Sequence, residues 1–195
     1  MEDSQVISDA QLLARGLGQL PDPEAQPALI VVSGLPGTGK SYFSRKLAER
    51  LPFLVLESDP LRKSLFPSPT SSVLESSRLF RAVHCLIEGL LRKGMPLILD
   101  ATNLSERHRE RLYNIAERLN ARLILVRVEA PPDLVQERLK ARSGQKKMED
   151  NSDADWLVYQ KMKPTAQKIR RNHYAVDTSR DITPVLNKIV REVNR

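Results

Sequence analysis

The residues with the clearest chemistry are Gly34-Leu35-Pro36-Gly37-Thr38-Gly39-Lys40-Ser41. They fit G-x-x-x-x-G-K-[S/T], the Walker A pattern, at every position. A phosphate chain is held best by several backbone N–H groups pointing inward. A chain folded that tightly needs φ values that only glycine takes cheaply. The expected nucleotide site runs over Gly34, Leu35, Pro36, Gly37, Thr38, Gly39, Lys40, Ser41 and Tyr42. Lys40 is expected on the β- and γ-phosphates and Ser41 on Mg²⁺. No Asn-Lys-x-Asp guanine signature is present, so ATP is the expected donor.

Two carboxylates stand at the ends of apolar runs. Asp59 follows Phe53–Glu57 and precedes Pro60. One reading makes it the cap of a helix that Pro60 begins. The other makes it a general base, because a carboxylate past a strand's C-terminal end lies at the ligand edge of an open α/β sheet. Arg62, three residues on, is placed to hold an anionic substrate group. Asp100 closes Pro96-Leu97-Ile98-Leu99 and opens Asp100-Ala101-Thr102-Asn103. It reads as a Walker B carboxylate reaching the metal through water, or as an exposed strand-end residue. Thr102 and Asn103 would orient the substrate or the next helix.

The arginines offer two further readings. Arg138 and Arg142 are four apart on one helix face. On a lid they would stabilise charge on a transferring phosphoryl group; otherwise they are surface charges. Arg62, Arg78, Arg81, Arg107, Arg109 and Arg111 would suit a polyanion if they line one groove. A small closed pocket would suit a metabolite instead. His84 reads as a structural histidine.

The elements that position these residues follow from periodicity. Leu29–Val32 is a buried parallel strand, and a helix over Tyr42–Leu51 follows the loop. Further strands are expected at Phe53–Glu57, Pro96–Leu99, Arg122–Val128 and His173–Val176. Helices are expected at Val73–Lys93, Glu106–Leu119, from Pro131, from Ala154 towards Arg171, and at Ile182–Val193. The fold class is therefore α/β: a three-layer central parallel sheet of about five strands, helices on both faces and a helical lid at about 131–155. Ser143–Asp153, with Gly144 and Lys146-Lys147, is expected to be the lid's loop, and Trp156 the anchor of its return. Residues 1–28 read as an appendage: a short helix capped by Ser8, with Leu12, Leu13 and Leu17 on one face, then a Pro-rich linker.

Composition sets bounds. The chain has 195 residues, 41% hydrophobic and 28% charged, enough for one domain. The net charge is +7 although residues 1–28 hold Glu2, Asp3, Asp9, Asp22 and Glu24 against Arg15 alone. The basic remainder suits phosphorylated or polyanionic ligands. Aromatic residues are only 5%, which argues against a stacking platform for long single strands. No apolar run approaches a membrane span. The single cysteine, Cys85, and an acidic start without a basic-then-apolar signal point to the cytoplasm.

Taken together, the chain from about 29 to 193 resembles the P-loop kinases around polynucleotide 5′-hydroxyl kinase, including the zeta-toxin-like and gluconate-kinase-like enzymes. The resemblance rests on the phosphate loop, the Asp59/Arg62 pair, Asp100-Ala101-Thr102-Asn103 and the Arg138/Arg142 pair. It implies that Lys40 and Ser41 bind ATP and Mg²⁺. It implies that Asp59 is the base and that Arg62 neutralises a substrate phosphate. Asp100 would contact substrate, and Arg138 and Arg142 would be lid arginines. The implied acceptor is a 5′-hydroxyl of RNA or DNA. The alternatives are a small metabolite or nucleotide sugar, or an ATPase or switch module with no acceptor.

Overall fold

The structure, a computed structural model, describes residues 2–70, 72–144 and 156–195. Its sheet has five parallel strands in the order β2-β3-β1-β4-β5: β1 Ala28–Ser33, β2 Leu54–Glu57, β3 Leu97–Asp100, β4 Arg122–Glu129 and β5 Tyr174–Asp177. The helices are α1 Glu2–Arg15, α2 Lys40–Ala48, α3 Ser58–Leu65, α4 Val73–Arg92, α5 Glu106–Arg118, α6 Pro132–Gly144, α7 Trp156–Met162 and α8 Thr183–Val193. The expected α/β three-layer fold is the one observed.

Every residue of β1 is buried, which is why its sequence is a continuous apolar run rather than an alternating one. Its side chains still divide by the strand's period of two. Leu29 and Val31 join Leu97, Leu99 and Leu125 under α1, α3, α4 and α5. Ala28, Ile30 and Val32 join Ile98, Ile124 and Val126 under α2 and α8. In register, Val32 sits opposite Asp100, and Glu57 lies opposite Asp100 on its other side. The strand order thus brings the ends of β1, β2 and β3 to one edge.

Three local expectations are corrected. First, α1 is no appendage. Leu13 is 1% exposed and belongs to the core with Ala10, while Leu12 is 44% exposed and Ser8 lies inside the helix. Arg78 of α4 donates to Asp9 through Nε (2.6 Å) and Nη2 (2.7 Å). That bond, opposed by burial, holds the Asp9 carboxyl below its usual range. Second, the helix expected to run towards Arg171 stops at Met162. A single 3-10 turn, Lys163–Thr165, contains Pro164, whose ring cannot continue an α-helix, and an irregular segment follows. Third, α3 begins at Ser58 with Glu57 as its N-cap, so Asp59 is not the capping residue.

Candidate functional site

The phosphate loop leaves β1 at Ser33 and enters α2 at Lys40. Two glycines show why other residues do not fit. A Cβ on Gly34 would lie 2.3 Å from the Val128 carbonyl oxygen, far inside contact distance. Gly39 has φ +90° and faces Thr178, with Oγ1 3.0 Å from where its Cβ would be. The loop is tied internally: Thr38 Oγ1 donates to the Leu35 carbonyl at 2.8 Å, and Lys40 Nζ donates to the same oxygen at 3.0 Å.

A cavity of about 1030 Å³ opens over this loop. Pro36, Gly37, Gly39, Lys40 and Ser41 line one part, Glu57, Ser58, Asp59 and Arg62 another. Asp100, Thr102 and Asn103 line it between them. Asp59 and the phosphate loop therefore share one chamber, with the Walker B candidate beside both. Arg62 faces the same chamber, its Nη2 donating to Ser76 Oγ at 3.2 Å and its Nη1 lying 3.7 Å from Glu75. Phe80 and His108 add an aromatic wall, their rings 5.2 Å apart and tilted by 38°. Burial, then Arg111 and Arg107, lowers the His108 pKa.

Asp100 is 4% exposed, and its Oδ2 has no hydrogen-bond partner among the described residues. A buried carboxylate oxygen left in that state fits a hydrated cation beside Ser41. No cluster of three His, Cys, Asp or Glu residues occurs among the described residues. A divalent ion here would thus be held by Ser41, water and phosphate oxygens rather than by a protein cage, which suits Mg²⁺.

Asn103 serves as scaffolding. Its φ is +45°, its Nδ2 donates to the Val32 carbonyl at 2.9 Å, and its own carbonyl accepts from Ser33 Oγ at 3.0 Å. Gly34 N donates to the Thr102 carbonyl at 3.1 Å, so this loop is laced to the phosphate loop.

Arg138 faces elsewhere. It donates to Thr178 through Nη1 to Oγ1 (2.8 Å) and Nη2 to the carbonyl (3.1 Å). With Gly39, Tyr42 and Arg180 it lines a second cavity of about 730 Å³, which shares Gly39 with the first. The structure therefore does not bring Arg138 to Asp59. Arg142 lies in α6, but its side chain is outside the described residues, as is the lid loop around Lys146-Lys147. Trp156 stacks on Tyr159 with centroids 4.8 Å apart, and this pair packs on Val135 and Leu139 of α6.

The six candidate arginines do not line one cavity. Of the six candidate polyanion contacts, only Arg62 lines the main cavity. Arg78 is spent on Asp9, and Arg109 is 1% exposed. His84 is buried with neither ring nitrogen hydrogen-bonded among the described residues, and burial, aided by His108 and Arg111, pushes its pKa down to about 4.

Sequence reasoning passed over Thr178 and Gln167. Thr178 Oγ1 accepts from Arg138 and donates to the Thr38 carbonyl at 2.7 Å, linking α6, β5 and the phosphate loop. Its signal was available: a hydroxyl residue immediately after a strand, at the sheet's ligand edge. Gln167 caps α5, its Oε1 accepting from Glu106 N at 2.7 Å in place of the Ser105 side chain. Nothing in the local sequence announces that role.

A sequence-family profile described as an AAA domain matches residues 29–169. An L-seryl-tRNA(Sec) kinase from Methanococcus maripaludis is 34% identical over 115 residues, which is 56% of this chain and 44% of that protein. The chain thus spans less than half the length of that relative. Among solved structures, Chaetomium thermophilum Kti12 in complex with ADP-AlF3 superposes with a TM-score of 0.70 at 18% identity, covering 85% of this chain and 98% of the other. The Mycobacterium tuberculosis APS kinase CysC in complex with AMPPNP and APS gives 0.65 at 17% identity, covering 89% and 100%. These structural likenesses concern the fold. No described helix is long and apolar enough to cross a membrane.

Proposed function

Because the chain belongs to the P-loop family described as an AAA domain, we propose that it is an ATP-dependent kinase of a hydroxyl group. The observation that carries this reading is the shared cavity: Asp59 and Arg62 line the chamber that Lys40, Ser41 and Asp100 also line. Asp59 takes the acceptor's hydroxyl proton. The acceptor oxygen bonds to the γ-phosphorus, the bond from that phosphorus to the bridging oxygen breaks, and ADP leaves. Lys40 and the loop's N–H groups hold the phosphates in line. Ser41, with Asp100 acting through water, would hold Mg²⁺, which supplies charge neutralisation when bound. The second cavity, with Tyr42, Arg138 and Thr178, receives the nucleoside end of ATP. Arg138 is then a donor-side residue, and Arg142 remains the candidate for the transferring phosphoryl group.

For the acceptor, the placement of the arginines favours a compact hydroxyl compound held within the cavity, since only Arg62 of the six candidates faces it. The 5′-hydroxyl of RNA or DNA is the second reading; the 34% identity to a protein named as an L-seryl-tRNA(Sec) kinase favours an acceptor borne by an RNA and does not bear on a 5′ end. A solvent-exposed basic surface is not needed for an end to enter the cavity.

The test offers γ-labelled ATP and Mg²⁺ with a 5′-hydroxyl RNA, a 5′-hydroxyl DNA and a cell metabolite fraction. Label on a small molecule supports the compact acceptor. Label on an oligonucleotide replaces it with the nucleic-acid end. Free phosphate alone would overturn the kinase reading in favour of an ATPase or switch module, for which the cytoplasmic, nucleotide-binding expectations are equally suitable.

A further inference from the structure

Arg109 was expected on a basic surface and is instead the largest fully buried side chain among the described residues. Its planar guanidinium carries five donors in a fixed fork. Nε donates to Glu106 Oε2 at 2.8 Å, and Nη2 lies 2.6 Å from the same oxygen. Nη1 donates to the Asn103 carbonyl. Nη2 donates to the carbonyls of Gln167 at 2.8 Å and Lys168 at 3.0 Å. One side chain thus serves three main-chain carbonyls from two segments far apart in sequence.

The two segments have different duties. The Thr102–Asn103 loop is bonded to Gly34 and Ser33 at the root of the phosphate loop. The end of α7 supplies Lys161 and Met162 to the main cavity's wall, and the return segment after it supplies Thr165 and Gln167. Gln167 N also donates to the Leu104 carbonyl at 3.0 Å, and Arg170 N to Glu106 Oε1 at 3.3 Å. A residue that merely filled core volume would need none of these bonds. An apolar side chain of similar size avoids the cost of burying a charge. The buried cation is matched instead to three carbonyls, of which only Asn103's also accepts from a second side chain, Ser33 Oγ, among the described residues.

We propose that Arg109 is a positioning residue for the acceptor. It fixes the wall formed by residues 161–167 against the loop beside Asp100, and so sets where an acceptor resting on that wall meets the phosphate loop. This rests on the kinase reading for the identity of the bound molecule, but not for the mechanical link.

The test compares wild type with Arg109→Lys and Gln167→Ala. Lysine keeps the charge, but its single nitrogen cannot span Glu106 and three carbonyls. With the oligonucleotide or metabolite labelled in the screen above, Arg109→Lys should raise the acceptor KM at least ten-fold. The kcat, the ATP KM and the Kd for MgADP should stay within about three-fold. Amide exchange should speed up at Gln167 and Arg170 and stay unchanged in α2. Gln167→Ala has an exposed side chain, leaves every Arg109 bond in place and removes the acceptor for Glu106 N. It should move the acceptor KM the same way by several-fold; if the lysine variant fails to fold, Glu106→Gln, which weakens the bond from Arg109 Nε, takes its place with the same expected readings. An unchanged acceptor KM, equal rises in both KM values, or exchange that quickens in α2 as well would overturn the proposal. If no compound is labelled by wild type, the kinase reading fails. The exchange pattern and MgADP affinity then decide the role of Arg109 alone.

Discussion

Removing the Thr178 hydroxyl tests whether the donor side is organised as described. In Thr178→Val the side chain keeps its branched shape but loses two hydrogen bonds. The first, to the Thr38 carbonyl at 2.7 Å, is buried. Leaving that carbonyl without its donor costs about 1–2 kcal/mol. The second, from Arg138 at 2.8 Å, involves a half-buried guanidinium that keeps its bond to the Thr178 carbonyl. Its loss adds roughly 0.5 kcal/mol after allowance for solvent. The sum is about 2 kcal/mol, which lowers the melting temperature by about 4–8 °C for a chain of this size. Thr178→Ser keeps both bonds and loses only a methyl group against Gly39, a cost below about 1 kcal/mol. Calorimetry reads the stability, and titration with MgADP reads the site. The valine variant should melt lower than the serine variant and bind MgADP more weakly. Equal melting of valine, serine and wild-type proteins, or a serine variant as damaged as the valine one, would refute the reasoning.

Three further predictions rest on other parts of the molecule. Leu13→Ala should cost about 3 kcal/mol and lower the melting temperature by about 6–12 °C, while Leu12→Ala, on the same helix but 44% exposed, should change it by less than about 2 °C. Gly34→Ala should weaken MgATP binding by about two orders of magnitude in a titration, because its Cβ would force the loop off the Val128 carbonyl. Burial pushes the His84 pKa down to about 4 from the usual value of about 6.5, so the unfolded chain binds the proton first as pH falls. Denaturant titrations should therefore lose up to about 3 kcal/mol between pH 6.5 and 4 from this group. His84→Leu should flatten that part of the profile.

The sheet was legible because each strand is a short apolar run ended by a turn or an acid, and both faces are covered. The phosphate loop was legible because its glycines answer a backbone demand that no other residue meets. Asp59 and Asp100 could be placed at one edge, since strand ends converge there in any such sheet. The arginines could not be sorted from sequence. Arg62 and Arg109 look alike in a string of basic residues, yet one lines the cavity and the other is buried. What separates them is partners distant in sequence: Glu106 is near Arg109, but Gln167 and Lys168 are not. The same holds for α1, whose acidic, Pro-flanked sequence hid the fact that α4 offers Arg78 to Asp9 and an apolar face to Leu13.

The central claim is that Asp59 acts as base on a hydroxyl brought to ATP in the shared cavity. Transfer of γ-label by wild type and by Asp59→Asn, with MgADP affinity measured on both, tests it most directly. Transfer should fall at least 100-fold in the variant while MgADP affinity stays within about two-fold. Transfer that survives within ten-fold, or release of free phosphate at equal rates by both proteins, would contradict the account.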